Sequence, residues 1–159
     1  MKFYTVDDDY INYLKTIDTK VPNNYNGKRP YVGVLLIING HDYFAPLTSY
    51  KSQQDSMKNN ITIYKIHEKG NENNKLGMIH LNNMIPIISA HLKPVIFTEQ
   101  THFYKKILMK QLDFIKSNQN EIVDRANKLY KTVTMNKDPH FCKLSCDFTL
   151  LEKHYKNFK

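Results

Sequence analysis

The most regular part of the chain is a run of aliphatic and aromatic residues, Tyr31 to Ile38, followed by Asn39-Gly40 and a second run, His41 to Ala45. Asn-Gly is the dipeptide that two-residue hairpin turns favour, because both central residues need a positive φ. Two β-forming runs on either side of such a turn are typical of paired strands. We therefore predict an antiparallel β-hairpin across residues 31–45.

Other segments of the first half also have strand character. Met1 to Val6 and Ile61 to Ile66 alternate, Leu76 to Leu81 is apolar, and Ile85 to Ser89 and Val95 to Phe97 are shorter β-rich pieces next to prolines. Proline is tolerated mainly at sheet edges and bulges, so the last two pieces are predicted to lie at such places. The sequence thus predicts several strands in addition to the hairpin.

Polar segments separate these strands. Pro46 is expected to end the second hairpin strand, so that Leu47 to Ser52 leaves the sheet. Asn23 to Pro30, before the hairpin, and Glu68 to Lys75, after the third predicted strand, are loops by composition. Side chains of the segment from Leu47 to Ser52 are expected to reach solvent or a groove.

Apolar residues at helical spacing follow Asp7 and continue to about Asp18, and the same spacing recurs from Thr101, from Asn120 to Val133, and after Asp147. Most strands therefore lie in the first half of the chain and most helices in the second, without βαβ alternation. This order predicts an α+β fold in which one domain, residues 1–159, has an antiparallel, twisted β-sheet surrounded by helices.

The chain is basic: 23 Lys and Arg against 15 Asp and Glu give a net charge of +8. A positive field attracts polyanions such as nucleic acids or anionic lipid surfaces. Lysine-rich proteins of AT-rich genomes share such a composition without binding nucleic acid, so charge alone leaves the partner open.

No apolar run approaches the ~20 residues that a membrane-spanning helix needs. The N-terminus runs directly into acidic residues and lacks the features of a secretory signal. We expect a cytoplasmic protein that does not associate with a membrane.

Metal or cofactor chemistry has little support. Cys142 and Cys146, with His140 upstream, lack a fourth ligand and a second cysteine pair, so both are predicted to be buried structural thiols. The carboxylates are dispersed, no glycine-rich phosphate loop is present, and most histidines are expected to be structural or exposed. We therefore predict no cofactor and no metal site.

One polar segment does carry groups suited to RNA cleavage. Without a metal, cleavage must activate the 2'-hydroxyl, stabilise negative charge on the phosphate and protonate the departing 5' oxygen. Thr48, Ser49 and Lys51 bring two hydroxyls and an ammonium together after the hairpin, and Arg29 precedes it at the same end of the sheet. Thr-Ser-x-Lys is also a common loop composition, so this motif alone does not establish an active site.

Aromatic side chains among lysines provide candidate surfaces for stacking single-stranded RNA. We single out Tyr10, Tyr25, Tyr50 and Tyr104 for this role, Tyr10 being intermediate between a surface and a core residue. The predicted cationic contacts to RNA are Lys2, Lys28, Lys105 and Lys106.

Several separate segments, in order and over nearly the whole chain, resemble the ToxN/AbiQ family of type III toxins, ribonucleases restrained by a repetitive structured RNA antitoxin. The matching stretches are Met1 to Thr5 with Tyr10, Val21 to Asn23, Tyr31 to Leu35, Gly40 to Ser49, Leu76 to Leu81, Met84 to Pro86, Tyr104 to Leu108 and Cys146 to Glu152.

The resemblance implies a compact toxin fold similar to MazF/Kid-like toxins. It also implies metal-independent endoribonuclease activity, often at adenine-rich sequences, that leaves a 2',3'-cyclic phosphate and a 5'-hydroxyl. By the same resemblance, Thr48, Ser49, Lys51 and Arg29 match the family's active-site positions and are expected to form the active site, although the family pattern has lysine where this chain has Arg29. Because Lys28 is adjacent, either of the two could contact the phosphate.

The same resemblance implies partners: an RNA antitoxin with pseudoknot-like repeats, bound in a cyclic assembly of three toxins and three RNAs. Phage defence by abortive infection and plasmid maintenance both fit the family, and the sequence does not choose between them. Two alternatives remain open, a non-catalytic RNA-binding protein and a protein-interaction module whose charge is incidental.

Overall fold

The computed structural model describes residues 1–159 except the side chain of Val34. Seven strands are present: β1 (Lys2–Val6), β2 (Tyr31–Ile38), β3 (His41–Thr48), β4 (Ile63–Glu68), β5 (Asn71–His80), β6 (Ile85–Pro86) and β7 (Leu92–Pro94). Five α-helices accompany them: α1 (Asp8–Ile17), α2 (His102–Ser117), α3 (Gln119–Thr134), α4 (Pro139–Leu144) and α5 (Phe148–His154).

All strand pairings in the sheet are antiparallel, in the order β4-β5-β3-β2-β1-β7, with β6 paired to β3 beside this path. The predicted hairpin joins β2 and β3, and both Asn39 and Gly40 have the positive φ that the turn requires. The predicted α+β fold with an antiparallel sheet and surrounding helices is confirmed.

Apolar faces of the helices cover this sheet. Leu108 and Ile115 of α2, and Ile122, Ala126 and Leu129 of α3, are fully buried in the same cluster as the sheet residues. α2 packs on β4 and β5, α3 packs on β2, and α5 lies between α1 and α3. The last residues of β3 and β5, Thr48 and His80, are polar and only partly buried.

Pro46 does not end the second hairpin strand: β3 continues to Thr48. Pro46 stands opposite Tyr31 at a non-hydrogen-bonded position, where the flanking Leu47 N–H donates to Pro30 O at 2.9 Å. A proline there removes no bond to β2, and β6, the neighbour on its other side, already ends before reaching it. The strand can therefore pass on to pair Leu47 and Thr48 with β5.

The predicted loop from Glu68 to Lys75 is also wrong, because β4 ends at Glu68 and β5 begins at Asn71. Gly70, with φ +78°, lies in the tight turn between them. The first residues of β5 are polar and largely exposed, so they lack the alternation by which a half-buried strand is recognised.

The remaining differences concern short elements. Of the two β-rich pieces near the prolines, Ile85 to Ser89 yields only the two-residue β6, and Val95 to Phe97 is not a strand, because β7 ends just before it at Pro94. Helix α4 was not predicted, although Asp138 caps it by accepting from His140 N and Phe141 N and Pro139 occupies its first turn. Of the residues described, no helix has the length and apolarity that a membrane crossing requires.

Candidate active site

Thr48 is the last residue of β3, and Ser49, Tyr50 and Lys51 follow it with exposed side chains. The turn is held from beneath by the buried Gln54, whose side-chain Nε2 donates to Ser49 O at 2.8 Å. Gln54 N also donates to Lys51 O at 2.9 Å. The two hydroxyls and the ammonium thus stand on an anchored segment at the open end of a strand.

Gly77 allows β3 and β5 to approach closely at Thr48. Its φ is +128°, and a Cβ built there would stand 1.9 Å from Thr48 O. No side chain fits at such a distance, so the position requires glycine. The location of Thr48 therefore depends on a residue that has no side chain.

Arg29 belongs to the loop before β2 and is nearly buried, with 8% of its surface exposed. Its Nε donates to Asn23 O at 2.7 Å, and its guanidinium carbon lies 4.7 Å from the centre of the Tyr25 ring. Among the described residues, no carboxylate forms an ion pair with Arg29. Buried charges normally have a partner of opposite sign, so this cation is suited to an anionic ligand.

His80, at the end of β5, joins this group, with its Nε2 3.1 Å from Thr48 Oγ1. Burial, and then the charge of Arg29, lower the pKa of His80 to about 4, so the imidazole is neutral at neutral pH. Sequence reasoning missed this residue. The contact depends on β3 pairing with β5, two strands that are not consecutive in the chain.

A groove of about 390 Å³ starts at Ser49 and Tyr50 and runs over α2, where Phe103 and Lys106 line it. Phe103 is 75% exposed, which is unusual for so large an apolar ring. Lys75 and Lys110 line the groove as well, each with a carboxylate partner, Asp55 and Glu68 respectively. An exposed aromatic ring among ammonium groups is a suitable surface for a single-stranded nucleic acid.

The other predicted RNA contacts have different surroundings. Tyr25 is 63% exposed beneath Arg29, Lys28 is exposed beside it, and Tyr104 and Lys105 are half-buried on α2. Lys2 is exposed in β1, opposite Gly33. Gly33 of β2 lies at the height of Phe44 in β3, since Val32 pairs with Ala45. Lys2 is therefore about four residue positions, or ~13 Å, away from Thr48 along the strands.

The prediction that Tyr10 contacts RNA is wrong for this structure. Its side chain is fully buried, its hydroxyl donates to Pro86 O at 3.1 Å, and its ring stacks on His91 at 4.8 Å. Burial raises the pKa of Tyr10 well above its ordinary value. Helical spacing placed the residue on the inner face of α1, where it forms part of the core.

A second cavity, of about 690 Å³, lies on the other side of Tyr50, between β4, β5 and α2. Its lining includes three carboxylates, on Asp55, Glu72 and Glu121, and three ammonium groups, on Lys65, Lys69 and Lys75. Opposite charges balance there, so a polyanion gains less from this cavity than from the groove that starts at Ser49.

The cysteines form no disulfide. Cys146 is buried, which raises the pKa of its thiol to about 12, as predicted for a structural residue, whereas Cys142 is only half-buried. Within the part of the chain that is described, no three His, Cys, Asp or Glu side chains form a group that could hold a metal ion.

Comparisons with known proteins agree with one another. A family model described as toxin ToxN, type III toxin-antitoxin system, matches residues 2–156. The chain is 39% identical to the endoribonuclease ToxN of Pectobacterium atrosepticum, over 99% of this chain and 94% of that protein. It is 37% identical to the endoribonuclease AbiQ of Lactococcus lactis subsp. lactis, over 96% of this chain and 86% of that protein.

Solved structures have the same fold. One, from work describing a bacterial antiviral system regulated by a processed non-coding RNA, superposes with a TM-score of 0.90 at 39% identity, covering 99% of both chains. AbiQ, described as a lactococcal anti-phage endoribonuclease of a type III toxin-antitoxin system, superposes with a TM-score of 0.87 at 34% identity, covering 98% of this chain and 96% of that one. The protein belongs to the ToxN family of type III toxin-antitoxin toxins.

Proposed function

We propose that this toxin is a metal-independent endoribonuclease that cleaves RNA to 2',3'-cyclic phosphate and 5'-hydroxyl ends. The observation that carries the proposal concerns the end of β3: Thr48 is its last residue, and the exposed Ser49 and Lys51 follow directly. The residue after the buried Arg29 is tied to the same strand end, because Leu47 N donates to Pro30 O at 2.9 Å. Hydroxyl, ammonium and guanidinium groups are those that a phosphate needs when no metal neutralises its charge. Relatives named endoribonucleases at 36–39% identity support the same activity.

In this mechanism the 2' oxygen attacks the adjacent phosphorus, its proton is removed, and the bond to the 5' oxygen breaks as that oxygen is protonated. Thr48 and Ser49 donate hydrogen bonds to the nonbridging oxygens, and Arg29 holds them with its planar guanidinium. Lys51 either stabilises the negative charge that develops on the phosphate or exchanges a proton with a phosphate oxygen. Arg29, rather than the exposed Lys28, is assigned to the phosphate because its charge acts on His80, which touches Thr48.

The substrate strand continues from the cleaved phosphate along the groove over α2. Lys106 meets the backbone there, while Tyr50 and Phe103 offer faces on which bases stack. Adenine-rich RNA suits such a surface because purines have large faces for stacking.

The regulator in this proposal is an RNA antitoxin with pseudoknot-like repeats that occupies the same basic surface in the cytoplasm. We further propose that three toxins and three RNAs form a cyclic assembly. The proposed biological role is phage defence by abortive infection. Support comes from related structures, one described as showing selective toxin inhibition by a non-coding RNA pseudoknot. AbiQ is likewise described as anti-phage.

The test is cleavage of an adenine-rich RNA in excess EDTA by the single-domain chain. Lys51→Ala is expected to cleave at least ~100-fold more slowly than the wild type, because it removes a charge at the reacting phosphate. Lys143→Ala, which removes an exposed lysine from α4, is the matched control and should cleave normally.

Mapping the product ends separates the possible outcomes. Cyclic phosphate and 5'-hydroxyl ends that disappear with Lys51→Ala support the proposal. Tight binding without cleavage by the wild type would instead favour a non-catalytic RNA-binding protein.

A further inference from the structure

His80 is a titratable side chain in contact with the candidate active site that the proposed mechanism does not use. Thr48 pairs directly with Met78 across β3 and β5, and His80 lies two residues farther along β5. Residues two apart share one face of a strand, so His80 is the diagonal neighbour of Thr48. Its Nε2 and Thr48 Oγ1 are 3.1 Å apart, which is a hydrogen-bond distance.

The imidazole in this position is neutral at neutral pH, because burial and the Arg29 charge both disfavour a proton on it. A neutral imidazole has one nitrogen that donates and one that accepts. Two arrangements of the contact are therefore conceivable, and they have opposite consequences for Thr48. If Nε2 accepts, the Thr48 hydroxyl donates its proton to His80 and cannot donate it to a ligand. If Nε2 carries the proton and donates to Oγ1, the Thr48 hydroxyl can donate its own proton elsewhere.

A second contact of the hydroxyl decides between them. Thr48 Oγ1 lies 3.4 Å from Met78 O, and a carbonyl oxygen only accepts. When Nε2–H of His80 donates to Oγ1, the Thr48 hydroxyl can donate its proton to this carbonyl. This arrangement alone makes both contacts hydrogen bonds. The 3.4 Å bond is long and hence weak, and a charged phosphate oxygen is a better acceptor.

We propose that His80 is a positioning residue for RNA cleavage, whose Nε2–H donates to Thr48 Oγ1 and thereby directs the Thr48 hydroxyl proton to a nonbridging phosphate oxygen. This inference rests on the proposed function. His80 itself neither touches the substrate nor exchanges a proton with it. Its contribution passes through Thr48 and strengthens as negative charge develops on the phosphate.

Four variants test the role: His80→Leu, His80→Gln, Thr48→Val and the double variant His80→Leu/Thr48→Val. Single-turnover cleavage in excess EDTA gives the rate, and substrate titration gives the apparent affinity. His80→Leu should cleave about tenfold more slowly with little change in affinity, as expected for loss of one hydrogen bond that acts in the transition state. His80→Gln should recover most of the rate, because its amide Nε2 can donate from a similar place.

The double variant distinguishes an action through Thr48 from an independent one. Once Thr48→Val has removed the hydroxyl, His80→Leu should cause no further loss of rate. His154→Leu, at an exposed histidine of α5, is the control and should behave as the wild type. Melting temperatures of all variants separate a loss of rate from a loss of folded protein.

The tautomer can be measured without any variant, since the ¹⁵N shifts of the His80 ring in the intact protein report which nitrogen carries the proton. A proton on Nε2 is expected, and a proton on Nδ1 alone would overturn the inference. Equal cleavage rates for folded His80→Leu and the wild type, no recovery by His80→Gln, or losses that multiply in the double variant would also overturn it. Failure of the wild type to cleave any RNA would instead overturn the proposed function, and the role of His80 with it.

Discussion

At the scale of single residues, burial separates side chains that the sequence treats alike. Tyr10 and Tyr25 were both candidates for stacking RNA, yet Tyr10 is fully buried and Tyr25 is 63% exposed. Arg29 and Lys28 are adjacent cations, and only Arg29 is buried near the Thr48 and His80 pair. Chemical type therefore identifies the candidates, and burial distinguishes between them.

His80 leads to a prediction on pH and stability. Its pKa is about 4 in the folded protein against an ordinary value of 6.5, so between these values the unfolded chain binds a proton that the folded chain does not. The free energy of unfolding should therefore fall as the pH is lowered from about 6.5 to about 4, by ~1–3 kcal/mol from this group. Above that window His80 contributes no pH dependence.

Urea denaturation at pH 7.5 and pH 4.5 measures this effect, with His80→Gln as the control because glutamine does not titrate. The wild type should lose more stability than His80→Gln between the two pH values. An equal loss in both proteins would show that His80 is not protected from protonation.

At the scale of elements, the candidate site depends on how β3 changes partners at its end, from β2 at Pro46 to β5 at Thr48. The loop carrying Arg29 is tied to this point through the bond between Leu47 N and Pro30 O. β5 brings His80 to the same point. Three chain segments thus meet where one strand ends, so small shifts between strands should affect the chemistry.

Gly77→Ala tests this dependence, since its Cβ would collide with Thr48 O at 1.9 Å. We expect a loss of ~2–4 kcal/mol in the free energy of unfolding, and slower cleavage even in folded protein because Thr48 must move. Thermal melting and cleavage assays below the melting point measure the two effects separately.

Gly70→Ala is the matched control for this variant. Gly70 also has a positive φ but has nothing within 4 Å of an added Cβ, so only backbone strain of ~1 kcal/mol applies. If the two variants melt and cleave alike, the close approach of β5 to Thr48 has no functional importance.

At the scale of the whole molecule, the net charge of +8 acts together with a defined basic surface. Besides Lys75 and Lys110, which pair with carboxylates, four cations lie at or beside the proposed RNA path: Lys28, Arg29, Lys51 and Lys106. Contacts between these groups and phosphates release counterions, which makes affinity depend on salt.

We expect the affinity for an uncleavable 2'-O-methyl RNA to fall with salt at a log–log slope of about −3, as for four contacts to a single strand. Fluorescence anisotropy between 50 and 200 mM salt measures this slope. Lys106→Ala should reduce it by ~0.7, whereas Lys143→Ala should leave it unchanged. A flat salt dependence would contradict an electrostatic RNA surface.

The sequence by itself was sufficient for the hairpin, four of the five helices, the α+β class and the family. These follow from local periodicity, turn chemistry and ordered motifs, which are properties of neighbouring residues. Sequence reasoning did not predict the polar start of β5 or the continuation of β3 through Pro46, because neither is determined by neighbouring residues. The first lacks an apolar pattern, and the second depends on which partner strand faces the missing N–H.

For the candidate site, sequence motifs indicated Thr48, Ser49, Lys51 and Arg29, and tertiary structure decided the rest. It buried Tyr10, brought His80 against Thr48 and set Phe103 beside Ser49. The physical reason is that hydroxyl, amine and guanidinium groups can be recognised by type, whereas burial and contact are properties of pairs of residues far apart in the chain. Only the pairing of strands and the packing of helices determine which of those pairs meet.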